Sequence, residues 1–158
     1  MSTIYLETLI NASVQKVFNL SRDIDLHQRS TAKTNEKAIG GKVSGLIELG
    51  ETVTWRAKHL GFYQTLTTKI IEMESPRMFT DMMMNGAFKS MKHTHLFIEK
   101  NGKTMMIDHF EFESPMGIVG KFFRYHFFKK LSQELSFRQK QNDQGNSGIL
   151  LTLNNQQL

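Results

Sequence analysis

The sequence predicts an α+β domain: a curved antiparallel sheet of about seven strands around one long C-terminal helix, with two short helices after the first strand. Three observations carry that expectation. Strand-like runs follow one another from Glu51 to Glu113 without the long crossovers that parallel strands require. Asn101-Gly102 stands between two of these runs as a strong hairpin signal. A sustained helical pattern of apolar residues begins only after Pro115 and Gly117 and runs to about Gln141.

In chain order, Thr3–Ile10 is β-branched and apolar enough for a first strand. Asn11 or Ser13 then caps a short helix carrying Val14, Val17, Phe18 and Leu20, and a second short helix starts near Asp23 or Asp25 and passes through His27. Thr31–Gly50 holds four of the eleven glycines with little period, and reads as a short strand and loop. Strands follow over Glu51–His59, Phe62–Met73, Arg77–Met84, Ser90–Glu99 and Thr104–Glu113, with turns at Leu60-Gly61, Ser75-Pro76, Asn85-Gly86 and Asn101-Gly102. Residues 1–141 form one domain, and 142–158 a polar tail with a short apolar segment, Gly148–Leu153.

A two-residue turn at Asn101-Gly102 fixes the register of its hairpin. One face pairs Met91 with Phe112, His93 with Phe110, His95 with Asp108 and Phe97 with Met106. The other pairs Lys92 with Glu111, an ion pair suited to an outer surface. That outer face also carries Leu96, Ile98, Met105 and Ile107, which call for a cover: the short helices, the tail or a partner. The same logic at Leu60-Gly61 puts Val53, Trp55, Ala57 and His59 on the inner face, opposite Thr68, Leu66, Gln64 and Phe62. Phe79, Asp81 and Met83 join them from the next strand.

His95 facing Asp108 among Phe and Met is the chemical feature of this pattern. A carboxylate there is costly unless a neighbour hydrogen-bonds to it, and an imidazole can do so. Three readings stay open. The pair braces the core, or it anchors the polar end of a ligand, or His93, His95 and Asp108 form a two-His-one-carboxylate metal set. No fourth ligand stands out, and the sequence assigns neither metal nor cofactor.

Composition narrows the classes. With no cysteine, disulfides, thiolate metal sites and cysteine nucleophiles are excluded, and a reducing compartment is favoured. No signal peptide or apolar run long enough to span a bilayer is visible, so a cytoplasmic location is expected. Twelve Phe and ten Met suit either a bulky core or an adaptable cavity. The net charge of +5 concentrates in Gly117–Lys140, with six basic residues against the single acid Glu134. Such a helix is an ordinary solvated face or a basic surface for nucleic acid or anionic lipid; the sequence points away from nucleic acid and gives a membrane surface no further support.

The segments IYLETLINASVQKVFNLSRDIDLH, GLIELGETVTWRAKHLGF and FKSMKHTHLFIEKNGKTMMIDHFEFESPMGIVGKFF resemble the bacterial SRPBCC ligand-binding proteins of the START-like superfamily. The branch includes proteins described as cell division inhibitors and polyketide cyclases. The resemblance covers about Ile4–Gln141 and implies the helix-grip fold with an internal cavity for hydrophobic small molecules. Because that superfamily also includes lipid carriers, cyclases and oxygenase domains, the fold does not choose the function.

The expected function is binding of a small hydrophobic or aromatic molecule, lipid-like or polyketide-like, between the sheet and the C-terminal helix, by a monomer or homodimer. Trp55, His59, Phe79, Asp81, Met83, His93, His95, Phe97, Asp108, Phe110, Phe123 and Phe127 are the candidate pocket residues. The alternatives are a cyclase/dehydratase- or hydrolase-type enzyme using the His95–Asp108 pair as acid or base, and a macromolecule-binding module using the basic helix. No nucleophile elbow, phosphate loop or paired-carboxylate motif accompanies the pair, so the sequence favours binding over catalysis.

Overall fold

The structure, a computed structural model, describes residues 1–31, 35–59 and 62–113, with the side chain of His59 excepted. The helix expected over Gly117–Gln141 and the tail 142–158 lie outside the described residues. In chain order the elements are β1 (Ser2–Ile10), α1 (Val14–Ser21), α2 (Ile24–Ser30), β2 (Lys37–Gly41), β3 (Thr52–His59), β4 (Phe62–Glu74), β5 (Met78–Asn85), β6 (Ser90–Lys100) and β7 (Lys103–Glu113). The strands form one antiparallel sheet of seven in the order β1-β7-β6-β5-β4-β3-β2, a meander whose first strand returns beside the last. Among the described residues no helix is long and apolar enough to cross a membrane.

The β6–β7 turn has positive φ at both central residues, 54° at Asn101 and 75° at Gly102, as a two-residue turn of matching twist requires. Gly102 N–H donates to Glu99 Oε1 at 2.7 Å and closes it. The register follows: Met91 opposite Phe112, His93 opposite Phe110, His95 opposite Asp108 and Phe97 opposite Met106, with Lys92 facing Glu111 on the other side. Trp55 lies opposite Leu66 and Val53 opposite Thr68, as the Leu60-Gly61 arithmetic also expects.

Three irregularities lie outside that arithmetic, and two of them set core positions. Between Ile70 and Glu72 the β4–β5 register shifts by one, so Ile71 is an extra residue. Ile70 therefore faces inward opposite Asp81, while Met73 rather than Glu72 takes the inner position opposite Phe79. A second shift, between Ala38 and Gly40, brings Ala38 beside Trp55.

Both short helices have side-chain caps. Ser13 Oγ accepts the Lys16 N–H at 3.4 Å, and Asp23 Oδ1 accepts the Leu26 N–H at 3.0 Å. α1 presents Val17 and Phe18 to the sheet, and the fully buried Phe18 ring sits edge-on against Phe79 and Phe97 at 5.8 and 5.5 Å. The helices therefore cover one end of the inner face. Packed on the inner face, the helices are eliminated as the cover of the apolar outer face, where Ile98 is 51% exposed and Ile107 is buried.

Asp23 also holds the loop that follows β2, through a bridge to Leu46, while Arg22 binds the Ile47 carbonyl at 3.2 Å and the Glu48 carboxylate. These contacts press Ile47 into the core. Asp23→Ala should cost about 1 kcal/mol through the lost cap, read as a lower urea midpoint at unchanged slope; an unchanged midpoint would show that the cap contributes nothing.

The core has two apolar clusters on the inner face. One centres on Phe18, Trp55, Phe79, Phe97 and Met106, the other on Ile4, Met91, Phe110 and Phe112. Following β6 from Met91 to Phe97, or β7 from Phe112 to Met106, the chain leaves one cluster and enters the other through His93, His95 and Asp108. A polar layer thus lies between the two along β6 and β7, while Leu6 and Leu66 pack against both.

Candidate functional site

The layer is built by strand register. Residues two apart on a strand share a face, so His93 and His95 point inward together from β6. β7 places Asp108 directly opposite His95, and β5 places Asp81 directly opposite His93. Each side of the histidine pair is therefore flanked by one carboxylate.

Asp108 is 1% exposed. Its Oδ1 lies 3.1 Å from His93 Nε2 and 2.7 Å from His95 Nδ1. An ionised carboxylate only accepts, so the hydrogens of these contacts belong to the imidazoles. The first is a hydrogen bond; at the second the oxygen lies off the N–H direction, so it is a close ion contact, and Asp108 Oδ2 has no hydrogen-bond partner among the described residues. The opposite nitrogens, His93 Nδ1 and His95 Nε2, lie 3.7 and 3.6 Å from one oxygen, Asp81 Oδ2. Phe79 stacks on His95 at 4.2 Å and Phe110 stands edge-on to His93 at 5.3 Å, limiting how far the imidazoles can turn.

Burial pushes His95 toward the neutral form, but the contacts and charges of Asp108 and Asp81 outweigh it and raise its pKa to about 9. Burial also pushes Asp108 upward. The hydrogen bond from His93 and the close contact of His95, then their charge, override it and hold the carboxyl well below the usual carboxylate range.

Beside the layer is a cavity of about 140 Å³. Asp81, His93, His95 and Asp108 form one end, and Ile47, Val53, Trp55, Leu66, Ile70, Phe79, Met91, Met106 and Phe110 contribute its apolar wall. Arg22, Asp23, His27 and Glu36 also line it. There His27 Nε2 lies 3.3 Å from Glu36 Oε1, and the His27 ring lies 4.3 Å from that of Trp55.

Of the residues expected at a pocket, Trp55, Phe79, Asp81, His93, His95, Asp108 and Phe110 line this cavity. Phe97 and Met83 do not. Phe97 is sealed beneath Phe18 of α1, and Met83 packs into the Met91–Phe110 cluster. Phe123, Phe127 and the side chain of His59 lie outside the described residues. Arg22 and Glu36 were not expected, nor was a site role for His27. His27 has a signal in sequence, its place one turn after the Asp23 cap, but Glu36 sits in a stretch without period.

No family model and no curated protein matches the chain. Solved structures do. TTHA0849 from Thermus thermophilus aligns with a TM-score of 0.69 at 15% identity, covering 92% of this chain and all (100%) of that one. A START superfamily protein from Mycobacterium smegmatis aligns with a TM-score of 0.64 at 12% identity, over 88% of this chain and 97% of its own. Ara h 8.0201 gives 0.68 at 10% identity, over 89% and 97%. With the seven-stranded sheet and its two short helices, these likenesses show the START-like, helix-grip fold.

Proposed function

We propose that this START-like chain binds a small, largely apolar molecule of about single-ring size, whose polar group meets the Asp81–His93–His95–Asp108 layer. The observation that carries the reading is a cavity of about 140 Å³ with an apolar wall and a charged, buried cluster at one end. An apolar cavity of about 150 Å³ accepts benzene, so the space suits one ring rather than a long acyl chain. Asp81 is the more exposed of the two carboxylates, and an ionised carboxylate only accepts hydrogen bonds. A hydroxyl or amine is therefore the preferred polar group, and a carboxylate the disfavoured one.

The enzyme alternative gains less support. An imidazole held as a cation by two carboxylates is a poor general base near neutral pH. The basic-helix alternative concerns residues outside the described part. The lack of cysteine favours a reducing compartment, and we assign the chain to the cytoplasm within the same proposal.

Fluorine NMR of chelator-treated protein with 4-fluorophenol and 4-fluorobenzoate tests the reading. Saturable binding of the phenol is expected, at least about tenfold tighter than the benzoate, equivalent to about 1.4 kcal/mol. Val53→Phe, which fills the cavity wall, should abolish it. Binding of neither probe, or equal binding by the Val53→Phe variant, would overturn the proposal.

A further inference from the structure

The contacts on the two sides of the histidine pair differ in kind. Toward Asp108 they are short, 3.1 and 2.7 Å. Toward Asp81 they are 3.7 Å from His93 Nδ1 and 3.6 Å from His95 Nε2, both to the same oxygen and both beyond hydrogen-bond range. Two ring nitrogens and a carboxylate oxygen converging at this spacing resemble the edges of a coordination polyhedron. With metal–ligand bonds of about 2.0–2.1 Å, two ligands of a tetrahedral ion stand roughly 3.3–3.4 Å apart.

We propose that Asp81, His93 and His95 bind a divalent first-row transition ion, through Asp81 Oδ2, His93 Nδ1 and His95 Nε2, with Asp108 as the positioning carboxylate for both imidazoles. One ligand-capable atom from each of these three residues already lies within 4.8 Å of the others. The carboxylate of the set is Asp81, not the Asp108 that sequence spacing pairs with the histidines. Asp108 instead orients the ligands. Metal-bound histidines usually give their second N–H to a carboxylate, and here one buried carboxylate meets both.

Charge supports the assignment. Two carboxylates with two neutral imidazoles carry two negative charges, which a dication balances. A donor set of two nitrogens and one oxygen selects zinc, cobalt or ferrous iron over magnesium or calcium. All three ligands line the cavity, so remaining coordination positions face the space where a guest would sit. The inference stands apart from the ligand reading, since a chain that binds no organic guest can still hold the ion.

The test begins with chelator-treated full-length protein titrated with Zn²⁺ by calorimetry and with Co²⁺ by visible absorption. One ion per chain is expected, with Kd below about 10 μM, and with no uptake of Mg²⁺ or Ca²⁺ at that level. Asp81→Asn combined with His93→Gln should weaken Zn²⁺ by at least about 100-fold, and Asp108→Asn by about 10–100-fold. His109→Ala, on the outer face of β7, should leave it unchanged. Because the Asp108 variant can also disturb folding, imidazole ¹⁵N spectra of the unmutated protein supply a second readout. Zn²⁺ should shift His93 Nδ1 and His95 Nε2. Uptake weaker than about 10 μM, uptake that survives the Asp81/His93 double change, or shifts confined to His27 or His109, would overturn the site.

Discussion

Replacing Asp108 by Ala is expected to cost the metal-free protein about 3–5 kcal/mol of stability, the usual penalty for removing one partner of a buried ion pair. Asp108 is 1% exposed, and its Oδ1 is the shared partner of His93 and His95. Without it, His95 keeps only the 3.6 Å contact to Asp81 while enclosed between Phe79 and Phe97. It must then stay charged without its nearest counter-ion or give up its proton, and either change removes what the native contact supplies. Asp108→Asn preserves the shape and one acceptor, so its loss should be smaller. Urea unfolding measures both; a cost for Asp108→Ala below about 1 kcal/mol would fit an exposed pair rather than a buried one.

That sensitivity does not make the layer a stabilising device. Buried ion groups commonly do no better for stability than apolar residues of similar volume. Residues of that kind surround the layer on both sides, in the Phe79–Met106 and Met91–Phe112 clusters. A sheet needing only to be filled could have continued either cluster through positions 93, 95 and 108. The polar layer, at one end of the cavity, is better explained by something that enters the cavity than by the demands of the sheet.

How much of this was legible in the sequence depended on loop length. Asn101-Gly102 is a two-residue turn, so a single position fixes every pair across β6 and β7, and His95 opposite Asp108 follows from the sequence alone. Asp81 opposite His93 does not. The connection between β5 and β6 spans four residues, Gly86 to Lys89, which leaves register open. Nor does β4 advertise its extra residue at Ile71, which turns Met73 inward and Glu72 out.

The apolar outer face shows a similar boundary. Its residues Leu96, Ile98, Met105 and Ile107 follow from the hairpin alternation, but which face the short helices take does not. Phe18, wedged edge-on between Phe79 and Phe97, settles it in favour of the inner face. The Thr31–Gly50 stretch gave no period from which Glu36 could be placed, yet it supplies Glu36 and Ile47 to the cavity wall.

The stability of the metal-free protein should also depend on pH with a sign fixed by the layer. His95 has its folded pKa raised from 6.5 to about 9 by Asp108 and Asp81 acting against burial. Between those values the folded chain binds more protons at this site than the unfolded chain, so stability falls as pH rises. The contribution is complete below about 6.5 and lost once pH passes about 9. Asp108 works in the other direction: its folded pKa lies below the ordinary 3.8, so its contribution is present above that value and is lost as pH falls. The two together leave a plateau between about 4 and 6.5, with declines on both sides. The groups facing His95 are Asp108 from β7, Asp81 from β5 and its neighbour His93 on β6, so the alkaline decline belongs to this layer rather than to the surface. Melting temperatures of chelated protein at pH 5.5, 7.5 and 9.5 should therefore decrease in that order. His95→Gln should start lower and show a flatter alkaline limb. An unchanged alkaline slope in that variant would show that His95 is not the group responsible.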